Sequence, residues 1–136
     1  MDPIRPWMTF VLCFAGVFNT LAGFGMVCFY HEGYELLRIA KPEQVLPVQV
    51  TGVLVALFGI GYLLVAGNPT GNRNILTLGF LAKGICGSIA LVHVAIGNFP
   101  WWFGVVVFFA DIIYLPPFLI IILHLYRPPC KENASA

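Results

Sequence analysis

Lys83 and Asp111 are ionisable groups of opposite sign set in the middle of two consecutive apolar stretches. Lys83 stands within Leu78-Gly79-Phe80-Leu81-Ala82-Lys83-Gly84-Ile85, and Asp111 within Val105-Val106-Val107-Phe108-Phe109-Ala110-Asp111-Ile112-Ile113. Both stretches read as membrane spans. A charge at the centre of a spanning helix costs about 2.5–3.5 kcal/mol on insertion scales, so such groups are functional candidates by default. An ammonium and a carboxylate there could tether two helices, pass a proton or hold a polar substrate. A third arrangement has Lys83 snorkelling to the inner surface and Asp111 protonated. Tyr114, three residues from Asp111 on the same helical face, and Gln49 on an earlier span complete the candidate polar zone. Pro116-Pro117 follows within two turns and predicts a kink, because proline removes a helical hydrogen bond and crowds the preceding turn.

The chain around these residues has the composition of an integral membrane protein. Of 136 residues, 60% are hydrophobic and 10% charged, and the mean hydropathy is +0.90. A soluble domain of this size needs a charged, mixed surface that this chain cannot supply. The formal net charge of +1 excludes electrostatic capture of nucleic acid as the main activity. A span needs roughly 20 apolar residues, and four segments qualify, at about 7–30, 46–67, 75–97 and 101–126. The backbone must satisfy itself in lipid, so these are helices. The expectation is an all-α four-helix bundle with short loops, antiparallel neighbours and a kinked fourth helix over residues 1–126. A polar tail follows over 127–136. The first span reads as a retained helix rather than a signal peptide: Arg5 is the only basic residue before it, and no Ala-x-Ala site follows.

The 68–74 connection is a short polar turn, and Asn98-Phe99-Pro100 is tighter still. The 31–45 stretch carries Glu32, Glu35, Glu43, Arg38 and Lys41, with Tyr34, Leu37 and Ile39 suited to an interfacial segment. Arg5, Arg73, Arg127 and Lys131 fall on one side of the membrane and Arg38 and Lys41 on the other, which predicts both termini in the cytoplasm. Trp7, Trp101 and Trp102 stand at span ends, where interfacial aromatics belong. Gly52, Gly59, Gly61, Gly79, Gly84 and Gly87 are read as helix-packing positions, and Ala15, Gly16, Ala22, Gly23 and Gly25 add small residues to the first span. Small residues let helix backbones approach closely in lipid.

The tight 98–100 turn sets a register in which residue numbers summing to about 198 lie level. Asp111 is then level with Gly87, and Lys83 with Leu115. That leaves the charges about one turn apart, near 6 Å of rise, and side chains on helices lean toward the N-terminus. This predicts an offset pair completed by water, Tyr114 or Gln49 rather than a compact contact. His31 and His93 both fall toward the outer side and form a weak candidate pair of haem ligands, while His124 reads as interfacial. Cys13, Cys28, Cys86 and Cys130 make no CxxC pair and are read as small apolar residues. Asn19, Thr20 and Thr51 fit interhelical hydrogen bonds. No metal, catalytic or nucleotide-binding motif is present in the sequence.

Gln49, Gly52, Gly59-x-Gly61-Tyr62, Asn68-Pro69, Gly79, Lys83-Gly84, Gly97-Asn98-Phe99-Pro100, Asp111 and Pro117-Phe118 together resemble the pattern of a family of small bacterial four-span membrane proteins. The resemblance covers about half the chain. In place of the family's Asn-Asp, Trp pair and Trp-Pro, this chain has Ala110-Asp111, Tyr114-Leu115 and Ile75-Leu76. The family has no assigned activity. Its build is similar to that of DoxX-type proteins, some of which are linked to quinone or thiol redox systems. The resemblance implies a bacterial inner-membrane location.

The function expected from these readings is a non-catalytic multi-pass membrane protein, an accessory or assembly subunit of a larger membrane complex. Its partners would be lipid and other membrane subunits or itself, with no nucleic acid. No cofactor is required by the sequence, which is compatible with a bound lipid or quinone. Two alternatives stand beside it: a small oligomeric proton-coupled transporter using Asp111 and Lys83, or a quinone- or haem-binding redox protein.

Overall fold

A computed structural model of the chain describes residues 4–127. The polar tail beyond Arg127, with Cys130 and Lys131, lies outside the described residues. The fold is all-helical, with four helices long and apolar enough to cross a membrane. These are α1 (Pro6–Cys28), α3 (Leu46–Gly67), α4 (Arg73–Ala95) and a fourth, broken helix made of α5 (Trp101–Ala110) and α6 (Leu115–Leu125). The short helix α2 (Tyr30–Leu36) lies between the first two spans and buries no residue.

The boundaries have local causes. Pro6, Pro47 and Pro116 stand in the first turns of α1, α3 and α6, where a missing N–H costs nothing. Gly97, with φ of 82°, turns the chain out of α4 in the left-handed conformation that glycine adopts freely. Asn68 Oδ1 accepts from Gly71 N at 3.1 Å, and Asn72 Nδ2 donates to Leu64 O at 3.0 Å, so the turn also satisfies the end of α3. At the same end, Tyr126 donates to Asn74 Oδ1 at 2.7 Å beneath the Arg73 guanidinium.

Each span buries one narrow stripe. On α1 it runs Met8, Leu12, Ala15, Gly16, Asn19 and Gly23, at the three-and-four spacing of a single helical face. On α4 it is Leu76, Gly79, Lys83 and Gly87. The remaining faces carry exposed Phe, Leu, Ile and Val, the surface a bilayer solvates. Cys13, Cys28 and Cys86 are on these outer faces rather than in the core. They remain small apolar residues, but facing outward.

The most extensive pairing joins α1 to α3. Its seam is glycine. A Cβ built on Gly59 would stand 2.7 Å from Gly16 O, and one on Gly52 would stand 2.8 Å from Gly23 O. Lipid tails are as apolar as side chains, so helices associate through van der Waals contact, and glycine allows backbones to touch. Gly61 and Gly79 accommodate Ile75 and the Tyr62 ring, and Gly87 accommodates Ile112. Gly84 differs from the sequence expectation. Its nearest neighbour would be Leu115 Cδ2 at 3.9 Å, an ordinary contact, because Gly84 is one position off the buried stripe. Gly52→Val is therefore expected to lower stability by about 1–3 kcal/mol through overpacking, and Gly84→Ala to leave it unchanged or slightly raised. Thermal unfolding in detergent compares the two; equal losses would mean the glycine seam does not join the spans.

Candidate functional site

The fourth span cannot run as one helix. Pro116 and Pro117 offer no N–H to the carbonyls of Ile112 and Ile113, and their rings crowd those carbonyls. The chain responds one turn earlier. Asp111 departs from helical geometry (φ −126°, ψ −55°), and Ile112–Tyr114 form a 3-10 turn before α6 begins. Tyr114 N bonds to Asp111 O at 3.3 Å. In a continuous helix it would bond to Ala110 O. The break thus frees the Ala110 carbonyl, half-buried beside α4.

Lys83 uses it. Its Nζ donates to Ala110 O at 2.7 Å, to Asp111 Oδ1 at 2.9 Å and to Asn19 Oδ1 at 3.3 Å. An ammonium has three protons, so these three acceptors use them all. The Tyr114 ring covers the group, with its centroid 5.1 Å from Nζ, a cation–π distance. Asn19 is held ready by its own Nδ2, which donates back to Ala15 O at 2.8 Å. Three spans meet at one nitrogen. Tyr62, Phe118, Tyr114 and Phe18 form a continuous aromatic wall nearby, with ring centroids 5.0, 5.8 and 6.3 Å apart in turn.

The register from the 98–100 turn holds: a Cβ on Gly87 would lie 3.3 Å from Asp111 Cβ, so these two are level. The offset pair does not. Lys83 reaches Asp111 directly for two reasons. Gly87, one turn along the same stripe, has no side chain to hold off Asp111 and Ile112, whose atoms are the ones a Cβ there would meet. Asp111, lying in the break, no longer leans as a helical residue does. The two members differ in access. The Lys83 side chain is 6% exposed and that of Asp111 28%. Asp111 Oδ2 has no protein partner among the described residues.

Gln49 is not part of this centre. It donates to Val27 O at 3.3 Å, closing the far end of the α1–α3 seam. The histidines are also apart. His93 Nδ1 faces Asn98 Nδ2 at 2.9 Å in the turn after α4. His31 Nε2 lies 2.8 Å from Lys41 Nζ and 3.6 Å from Glu35 Oε1 on the α2 side. The two imidazoles are thus engaged by different segments, His31 by Lys41 beyond α2 and His93 by Asn98 in the turn after α4. His124 is half-buried in the last turn of α6. Among the described residues, no group of three His, Cys, Asp or Glu side chains could hold a metal ion. Asn19, expected to hydrogen-bond between helices, does so to Lys83, and the Ala110 carbonyl is the contributor that residue-type reasoning passes over. The double proline was the signal for that carbonyl, since it implies orphaned carbonyls upstream.

No protein family, curated protein or solved structure matches this chain. The arrangement therefore has to be interpreted from its own chemistry. It holds a cation in a low-dielectric setting with saturated donors, beside a carboxylate with one free oxygen.

Two predictions follow the geometry. Asp111→Ala strands a buried ammonium with only neutral acceptors and is expected to cost about 3 kcal/mol or more. Lys83→Met leaves unpaired the more accessible member of the pair, 28% exposed against 6%, so its loss should be smaller. Reversible unfolding in mixed micelles would contradict the assignment if Lys83→Met proved the costlier. On the α2 side, Lys41 donates to Glu35 Oε1 at 2.7 Å, and this hydrogen bond, with the lysine's charge, holds the Glu35 carboxyl below its ordinary value of 4.5. A depressed folded pKa stabilises above the unfolded value and is lost as pH falls through the folded one. The Glu35–Lys41 contact should therefore persist at neutral pH and release only below about 4.5. An NMR titration of the Glu35 carboxyl should show its midpoint return toward 4.5 in Lys41→Ala.

Proposed function

We propose that this chain is a non-catalytic multi-pass membrane protein acting as an accessory or assembly subunit of a larger membrane complex. The observation that carries this reading is the saturation of Lys83. Its protons are committed to Asn19, Ala110 and Asp111, so the most unusual residue in the chain is occupied in joining α1, α4 and the broken span. A group held this way serves cohesion. Support also comes from the membrane-facing side. An apolar groove of about 540 Å3 runs between α1 and the broken span, lined by Phe10, Phe14, Phe18, Phe109, Ile113 and Pro117 among others. Rigid aromatic side chains give large contact area at low entropic cost, which suits the edge of a partner helix. In this reading the end bearing Arg5, Arg73 and Arg127 faces the cytoplasm, following the excess of basic residues there. The likeness to the four-span bacterial family agrees in build.

A photo-crosslinking residue in place of Phe14, in the groove, should form adducts with a membrane protein subunit in intact cells. The same probe at Leu54, on the exposed face of α3, should form lipid adducts alone. Lipid adducts at both positions would sink the proposal.

One observation favours a second reading. The Asp111 carboxylate is 28% exposed on its side chain and has an uncommitted oxygen, with Lys83 as its counter-charge. That is the minimum a proton-coupled carrier needs. Under this reading, Asp111→Asn and Lys83→Met each abolish proton flux in reconstituted vesicles while expression is retained. Unimpaired flux in either variant excludes it.

A further inference from the structure

A cavity of about 710 Å3 opens where α1 ends, between that helix, α2 and the start of α3. Its apolar wall includes Ala22, Gly25, Met26 and Val48 from the two spans, and α2 adds Glu32 and Glu35. Since α1 ends at Cys28 and α3 begins at Leu46, the cavity lies at the level where hydrocarbon gives way to headgroups.

Two glycines mark it out. Gly25 and Gly33 both line the cavity. A Cβ at either would meet nothing within 4 Å, and neither has the positive φ that favours glycine. Glycine weakens a helix, so at these positions neither packing nor backbone conformation calls for it. What both glycines leave is room. The small residues of the α1–α3 seam are different, since their absent side chains are replaced by a neighbouring backbone.

The charges at the polar end are complementary to a zwitterion. Glu35 is engaged by Lys41 at 2.7 Å. Glu32, three residues earlier on the same helix face, is exposed and has no hydrogen-bond or ion-pair partner among the described residues. The cavity thus combines an apolar wall, one uncommitted carboxylate and, next to it, one ammonium.

We propose that this cavity binds a phospholipid with a primary-amine headgroup, of the phosphatidylethanolamine type. Its ammonium pairs with Glu32, its phosphate lies toward Lys41, and one acyl chain lies along Ala22, Gly25, Met26 and Val48. An anionic headgroup without an amine offers Glu32 nothing and meets its negative charge.

The test uses the full chain in mild detergent, incubated with equal amounts of phosphatidylethanolamine and phosphatidylglycerol of identical chains. Retained lipid is counted by native mass spectrometry. The amine lipid should be retained over the glycerol lipid by about fivefold, the weight of one partly exposed ion pair. Glu32→Gln should bring that ratio near one while leaving thermal unfolding unchanged. Gly25→Leu, whose Cβ meets no neighbour within 4 Å and whose side chain takes up cavity space, should abolish retention of both lipids. Gly67→Leu is its control: that position is equally open but outside the cavity, so retention should persist. Equal retention of the two lipids by the unmodified chain overturns the proposal. So does an undiminished preference in Glu32→Gln, or undiminished retention in Gly25→Leu.

Discussion

An ammonium inside a bundle of apolar helices needs as many acceptors as it has protons, and the centre of this protein is arranged around that need. Burying a charge without partners is far more costly than any single packing error, because the interior offers no water to replace them. Lys83 occupies a position on the only buried stripe of α4, where its neighbours are leucine and glycine. It cannot turn outward without abandoning that stripe. The acceptors therefore have to come to it, and they come from α1 and from the break in the fourth span.

The break is the second link. Two consecutive prolines stop the helix from continuing, and the helix ahead of them ends early enough to leave Ala110 O without its usual partner. An orphaned carbonyl in an apolar setting is itself destabilising, and so is an unpaired ammonium. Placed together, each satisfies the other. Asp111, at the same break, adds the opposite charge, and the Tyr114 ring closes over the group. Cohesion elsewhere comes from contact rather than polarity: the glycine seam brings α1 and α3 backbone to backbone, and in doing so holds Asn19 where Lys83 can reach it. The polar centre and the seam are thus mechanically linked through α1.

Much of this was legible in the residues, and the exceptions are instructive. The four spans, the bend in the last helix and the level of Asp111 against Gly87 all followed from apolar run length, proline chemistry and one tight turn. Direct contact between Lys83 and Asp111 did not follow, because side-chain lean was applied to Asp111 as though it were still helical. Gln49 looked like a member of the centre by polarity alone and instead closes the other end of the seam. Gly84 looked like a packing glycine by composition, yet its position relative to the buried stripe leaves it beside the contact rather than in it. His31 and His93 shared a side of the bundle by topology but are engaged by different loops. In each case residue type was informative, and azimuth around the helix was not available.

The amino-acid order alone determined the class and number of elements. Run length and backbone self-satisfaction are local properties, so a chain with four such stretches joined by polar connections forms four helices in lipid. It also determined that Lys83 and Asp111 would need an explanation. Which groups supply that explanation was settled by tertiary structure. Asn19 lies 64 positions from Lys83 along the chain, and Ala110 contributes a carbonyl that every residue possesses. A backbone acceptor carries no signature in sequence, and it becomes available only when the surrounding helix is broken and packed against the right face of its neighbour.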